Sequence, residues 1–327
     1  MDILGIHHVS AIAKDPQRNL DFYAGFMGLR LVKRTVNFDD PYGYHFYFGD
    51  EVGTPGNIMT FFPLPRVKRG RPGSGQVAVT SFAVLPGAIG FWVERLVRHN
   101  IPFERPTTRN FGDDTEYVIA FKDHDGLMLE IVGHRAAESQ PLWDGAHGIS
   151  RDNAIRGFHH VTLWVEHHEP TERVLADILG FRASSEIGAT RRFVISDGGP
   201  SKIVDVREIG GFGAGVSGAG TVHHVAFAVP DDETELSLRS KVEAAGMVPT
   251  AVIDRNYFHS VYFNEPGGVL YELATNQPGF TIDESVSELG KSLRLPPQFE
   301  PNRADIEEAL PQIHLPEPWS ESNLFSD

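Results

Sequence analysis

The string HHV is written three times in this chain, in GIHHVSAIA (5–13), GFHHVTLWV (157–165) and TVHHVAFAV (221–229). Internal repetition constrains architecture before any single residue does, because a repeated unit must bury itself against its copies. The likeness extends beyond the strings. Gly28 in FMGLRL follows His8 by twenty residues, and Gly180 in ILGFRA follows His160 by twenty. Between them, NLDFYAGFM (19–27) and TERVLADIL (171–179) carry apolar residues at helical spacing. The third string leads into a helical ELSLRSKVEAAG (235–246) and ends in FNEPGGVLYELAT (263–275). A fourth copy has the helix FWVERLVRHN (91–100) and the ending FKDHDGLMLEIVG (121–133). Its first strand, TSFAVL (80–85), aligns Ser81 and Phe82 with the histidine pairs.

Each unit reads as strand, helix, then two or three strands, with the turn signals DDPYG, DHDG and EPGG between strands. The expected fold class is α+β: four βαβββ modules at about 1–70, 75–137, 155–210 and 219–280. One such module cannot bury both faces of its sheet. Together the four should form two curved, barrel-like mixed sheets with helices outside. In sequence order they make an N-terminal pair (1–137) and a C-terminal pair (155–280), followed by a proline-rich tail (281–327) that should wrap the surface. GGFGAGVSGAG (210–220) has the composition of a flexible connector.

Composition narrows the chemistry. With no cysteine among 327 residues, disulfides, thiolate nucleophiles and cysteine-held metals are excluded, so any metal must be held by His, Asp, Glu or Tyr. A formal charge of −15 argues against nucleic acid or anionic lipid as partner, and RVKRGR (66–71) is too short a basic run to reverse that. Apolar runs stop well short of the roughly 18 residues of a membrane span, and no signal peptide opens the chain, so a cytoplasmic location is expected. Self-association into a homo-oligomer is left open.

Side chains alternate along a strand, so two adjacent histidines cannot both face one metal. Ser10, Thr162 and Ala226 share the register of His8, His160 and His224, whereas Val9, Val161, Val225 and Phe227 share that of His7, His159 and His223. The small, polar face should line a cavity, which makes the second histidine of each pair the candidate ligand. Aligning the last strands on their turn glycines sets Glu272 four residues after Gly268, Glu130 after Gly126 and Thr60 after Gly56, with no acid expected at the matching place in the third unit. A Glu inside an apolar strand is expensive unless paired or coordinated. Two imidazoles and one carboxylate form the facial triad of non-haem iron oxygenases. His224 and Glu272 come from the fourth unit, and the third ligand is His8 or His160 according to which unit pairs with it. His159, His160 and Glu130 read as relics of duplication. His45, His99, His124, His134, His147, His167, His168 and His314 read as surface residues.

With the HHV strands, DRNYFHSVYFNEPGGVLYELAT and the tail GFTIDESVSELGKSLRLPPQFEP, the sequence resembles the vicinal oxygen chelate superfamily, and within it the ring-cleaving (chloro)hydroquinone 1,2-dioxygenases, over essentially its whole length. The resemblance implies Fe(II), with Mn(II) sharing its ligand preferences, held by His8, His224 and Glu272. It also implies supporting roles for His7, Ser10, His223, Arg255 and Tyr262, and a small aromatic substrate opened by O₂. Phe22, Tyr44, Phe46, Tyr257 and Phe258 are candidates for an aromatic-sized pocket. The rival readings are a catechol extradiol dioxygenase, a glyoxalase-like metal isomerase or lyase, and a metal-free binding protein of the same fold. Thr60, where a second carboxylate would stand, argues against the isomerase.

Overall fold

The computed structural model describes residues 2–315 except Asp113 and His147, so the expectations for His147 and for the tail beyond Leu315 lie outside the described residues. Four modules follow one another. The first runs β1 (Gly5–Ala13), α1 (Pro16–Leu20), β2 (Arg30–Val36), β3 (Tyr44–Gly49) and β4 (Ile58–Pro63). The second has β5 (Gln76–Val84), α2 (Ile89–Arg98), β6 (Thr107–Phe111), β7 (Asp114–Lys122) and β8 (Met128–Gly133). The third has β9 (Phe158–Val165), α3 (His168–Arg173), β10 (Arg182–Ile187), β11 (Thr190–Val194) and β12 (Ile203–Glu208). The fourth has β13 (Thr221–Val229), α4 (Asp232–Ala244), β14 (Ile253–Asp254), β15 (His259–Asn264) and β16 (Leu270–Thr275). α1 and α3 each widen into a π-helical turn, Asp21–Phe26 and Val174–Ile178. Shortly after each turn comes Gly28 or Gly180, at φ +70° and +75°, a conformation glycine adopts without penalty.

The fold is the expected α+β vicinal oxygen chelate arrangement of two eight-stranded mixed sheets. One sheet has the order β14-β15-β16-β13-β1-β4-β3-β2 and joins the first and fourth modules; the other, β10-β11-β12-β9-β5-β8-β7-β6, joins the second and third. The sequence halves 1–137 and 155–280 therefore each give one module to each sheet. Strand alternation divides the side chains as the sequence indicates. Val9, Val225, Phe227, Tyr271 and Leu273 enter the large core under the helices. Ala226, Ala274, Ile58, Tyr47 and Phe258 form a second, smaller cluster.

The stretch 210–220 is not a free connector. It lies against 69–74 with bridges Arg69 to Ala219, Arg71 to Val216 and Ser74 to Ala214, and Gly70 N–H donates to Ala219 C=O at 2.9 Å. Glycine is required there, since a Cβ on Gly73 would come within 2.5 Å of Gly213 O. The described part of the tail packs on the first module. Fully buried Lys33 binds Asp283 at 2.6 Å and also Glu284, Arg34 donates to Lys291 C=O at 2.9 Å, and Tyr44 OH donates to Pro311 C=O at 3.0 Å. Among the described residues no helix is long and apolar enough to cross a membrane.

Candidate metal centre and substrate cavity

Pairing of the first module with the fourth selects His8 rather than His160 as the partner of His224. β1 runs antiparallel to β13 with Ser10 opposite His224, and β13 runs parallel to β16 with Ala226 beside Glu272. Three side chains thus converge from three adjacent strands. His8 Nε2 lies 3.1 Å from His224 Nε2 and 3.1 Å from Glu272 Oε2, and His224 Nε2 lies 2.8 Å from that same oxygen. Ligand atoms about 2.1 Å from one centre and mutually at right angles would stand about 3.0 Å apart, so this spacing fits three facial positions of an octahedral ion. All three residues are buried, and Glu272 Oε2 meets hydrogen-bond geometry with no partner despite its close neighbours. Burial lowers the His224 ring to a pKa of about 4, so the imidazole is neutral, as coordination requires.

The atoms of the triad that point away from the centre are also held. His7 Nδ1 lies 2.9 Å from His8 Nδ1, His223 Nδ1 lies 2.7 Å from His224 Nδ1, and Ser260 Oγ donates to Glu272 Oε1. Strict alternation would turn His7 and His223 to the far face. The register shows why it does not: Ile6 and His8 oppose the consecutive Phe227 and Ala226, leaving His7 extra, and Ser10 and Ala11 oppose His224 and Val222, leaving His223 extra. Each is the inserted residue of a β-bulge, which re-aims its side chain.

A cavity of about 570 Å³ opens beside the triad, a size suited to a small aromatic molecule. His8, Ser10, His223, His224, Arg255 and Tyr262 all line it. His7 stands behind, packed in T-shaped contact with Phe258 at 5.0 Å. Tyr262 sits opposite Glu272 on β15, with its ring edge-on to His224 at 5.4 Å, and burial raises its pKa well above the usual value. The Arg255 guanidinium lies 5.3 Å from the Tyr262 ring centre and 3.7 Å from Asp39. Of the five aromatic candidates only Phe258 lines the cavity, joined by Phe38, Tyr47 and Phe62. Phe22 and Phe46 belong to the large core, Tyr44 reaches the tail, and Tyr257 packs on Phe280.

The expected surface histidines divide. His45 is buried and lines the cavity, with Nε2 3.0 Å from Thr60 Oγ1. His134 is buried against Asp114 at 2.9 Å, and His124 is mostly covered, whereas His167 and His314 are exposed. Pairing of Tyr47 with Thr60 turns His45, Tyr47 and Thr60 to one face.

The other sheet carries the counterpart of this centre, and it corrects two alignments. Val79 and Ser81 oppose Thr162 and His160 as His8 and Ser10 oppose Ala226 and His224, so Val79, not Ser81, takes the place of His8. An acid does stand in the third module: Asp205 lies beside Thr162 as Glu272 lies beside Ala226. It was hidden because Ser201, at φ +63°, makes the turn that glycine makes elsewhere. There His160 Nε2 lies 3.4 Å from Asp205 Oδ2, an oxygen that an arginine already holds. Arg192 donates through Nε and Nη2 to both oxygens of Asp205 at 2.8 Å and through Nη1 to Glu116, while Arg109 binds Glu130 at 2.6 Å. His159, His160 and Glu130 thus belong to a guanidinium-filled cluster.

Comparison with known proteins agrees with this geometry. The family model described as Glyoxalase/Bleomycin resistance protein/Dioxygenase superfamily matches residues 5–131 and 157–273. The chain is 44% identical to "Putative ring-cleaving dioxygenase MhqO" of Bacillus subtilis, over 94% of this chain and 96% of that one. It is 32% identical to the chlorohydroquinone/hydroquinone 1,2-dioxygenase of Sphingobium indicum, over 90% and 92%. A crystal structure of a "putative dioxygenase" from Bacillus subtilis superposes with a TM-score of 0.87 at 41% identity, covering 97% of this chain and 99% of the other.

Proposed function

The chain belongs to the Glyoxalase/Bleomycin resistance protein/Dioxygenase superfamily, and from that premise we propose that it is a metal-dependent ring-cleaving dioxygenase that opens hydroquinone-type aromatic rings with O₂. His8, His224 and Glu272 would hold Fe(II). The observation that carries this reading is the convergence of their three inward atoms, 2.8 to 3.1 Å apart, at the base of an aromatic-walled cavity. Fe(II) bound there supplies the path by which electrons pass from a closed-shell phenol to O₂.

The chain's own residues bind the ring and hold its oxygens. Phe258, Tyr47 and Phe62 give apolar surface for the ring and keep bulk water from it. His223, neutral because burial lowers its pKa, accepts from His224 through Nδ1 and so presents Nε2–H as a hydrogen-bond donor to a phenolic oxygen. Arg255 offers fixed positive charge to oxygen as negative charge develops on the substrate. Tyr262 keeps its proton at neutral pH and offers its O–H as a hydrogen-bond donor to an oxygen of the substrate. At Thr60, where an isomerase of this fold would bring a second carboxylate, the hydroxyl is bound to Ser10 and His45 instead.

The test is O₂ uptake after anaerobic Fe(II) loading, with hydroquinone and with catechol. Uptake with hydroquinone is expected, and no uptake with either ring overturns the reading. His8→Ala should remove the iron and His160→Ala should leave it; the reverse would refute the ligand assignment.

A further inference from the structure

We propose that His45 receives the second hydroxyl of the aromatic substrate and is the residue by which the cavity distinguishes a para-diol from a monophenol. This rests on the reading of the cavity as a site for hydroquinone-type rings. A para-diol carries its hydroxyls at opposite ends of the ring. With one at the triad, the other enters the far wall, and a polar group desolvated without a partner is costly. A vicinal diol turns both oxygens to the metal and makes no such demand.

The groups beside the triad are already engaged there. Tyr262 stands edge-on to His224, Phe258 lies over His8 at 5.2 Å, and His223 is bound to His224. Asp39 has a largely exposed side chain and is paired with Arg255. Along the wall of the first module runs a different line. Ser10 Oγ lies 2.8 Å from Thr60 Oγ1, which lies 3.0 Å from His45 Nε2. The His45 ring is clamped between Tyr47 and Phe62, with centroids at 4.1 and 4.3 Å. Its orientation is therefore set by packing and by Thr60. Its Nδ1 has no hydrogen-bond partner among the described residues, and the residue lines the cavity. Nδ1 accepts from a hydroxyl if Thr60 accepts from Nε2–H, and donates to one if Thr60 donates to Nε2. Either tautomer meets a phenolic hydroxyl, which both donates and accepts.

The experiment is calorimetric titration of hydroquinone and of phenol into the full-length, Zn(II)-loaded protein, which needs no turnover. Wild type should bind hydroquinone about tenfold tighter than phenol, the worth of one buried neutral hydrogen bond. His45→Leu should bring the two affinities together while leaving phenol binding and zinc content unchanged. His45→Gln should restore part of the preference, and Thr60→Val, which frees the ring, should lose part. No preference in wild type, a preference unchanged in His45→Leu, or equal loss of both ligands in His45→Leu with no recovery in His45→Gln would overturn the proposal. Because binding alone is read, a protein that consumes no O₂ yet loses its preference in His45→Leu refutes the dioxygenase reading and not this one.

Discussion

His223 Nδ1 lies 2.7 Å from His224 Nδ1 although the two residues are neighbours on one strand. The same contact recurs between His7 and His8 at 2.9 Å. Two nitrogens this close share one proton, which fixes the tautomer of each ligand ring and leaves its Nε2 lone pair for a cation. His7→Phe should therefore weaken metal binding about 10- to 100-fold, with the triad itself intact. Competition against a calibrated chelator measures this, and unchanged affinity would show that His7 only fills space.

Glu272→Gln removes the charge that offsets a divalent ion while keeping the hydrogen-bonding shape. Wild type should gain thermal stability on adding Fe(II) anaerobically, by mass action. The variant should show little or no gain. An equal rise in Tm for both proteins would place the ion elsewhere.

Glu235 on α4 is buried with neither carboxylate oxygen partnered, and desolvation raises its pKa to about 7, with Asp232 and Glu272 adding to the shift and His259 opposing it. In the unfolded chain the group ionises near 4.5, so between about pH 4.5 and 7 the unfolded state loses a proton the folded state keeps. Stability should fall across that window and level off above it. Glu235→Gln should accordingly raise Tm at pH 8 more than at pH 4.5, and a shift of the same size at both would remove Glu235 as the cause.

Arg192→Met leaves Asp205 and Glu116 buried without their shared cation. Breaking such a pair costs about 3–5 kcal/mol. Urea denaturation should register that loss, while metal affinity at the triad in the other sheet should stay within about twofold. Loss of both together would mean that the two sheets do not tolerate damage independently.

Much of this was legible before the structure. Alternation along TVHHVAFAV picks out His224, and an acid inside the apolar YELAT announces Glu272, because a buried charge needs a partner. The choice between His8 and His160 was not legible from spacing, since repeats of equal length do not say which copies share a sheet. Asp205 was missed for a local reason: an alignment keyed to glycine passes over a turn that Ser201 makes at positive φ. Ala78 is the bulged residue of β5 as His7 is of β1, so Val79 takes the place of His8, and an apolar QVAVT has no histidine to mark it. His45 was obscured because aromatic residues flank it on both faces of β3, so that neither face looks polar.

The sheet that holds the triad is built from the first and fourth modules. Glu272 leaves the ribosome 264 residues after His8, and His224 lies 216 positions after His8. A growing chain therefore cannot bring the three side chains together until the fourth module has been made, and the intervening two modules can already have closed their own sheet by then. Assembly of the proposed ion site is thereby tied to completion of the fourth module, and a product cut short before β16 should fold in part yet fail to bind the ion.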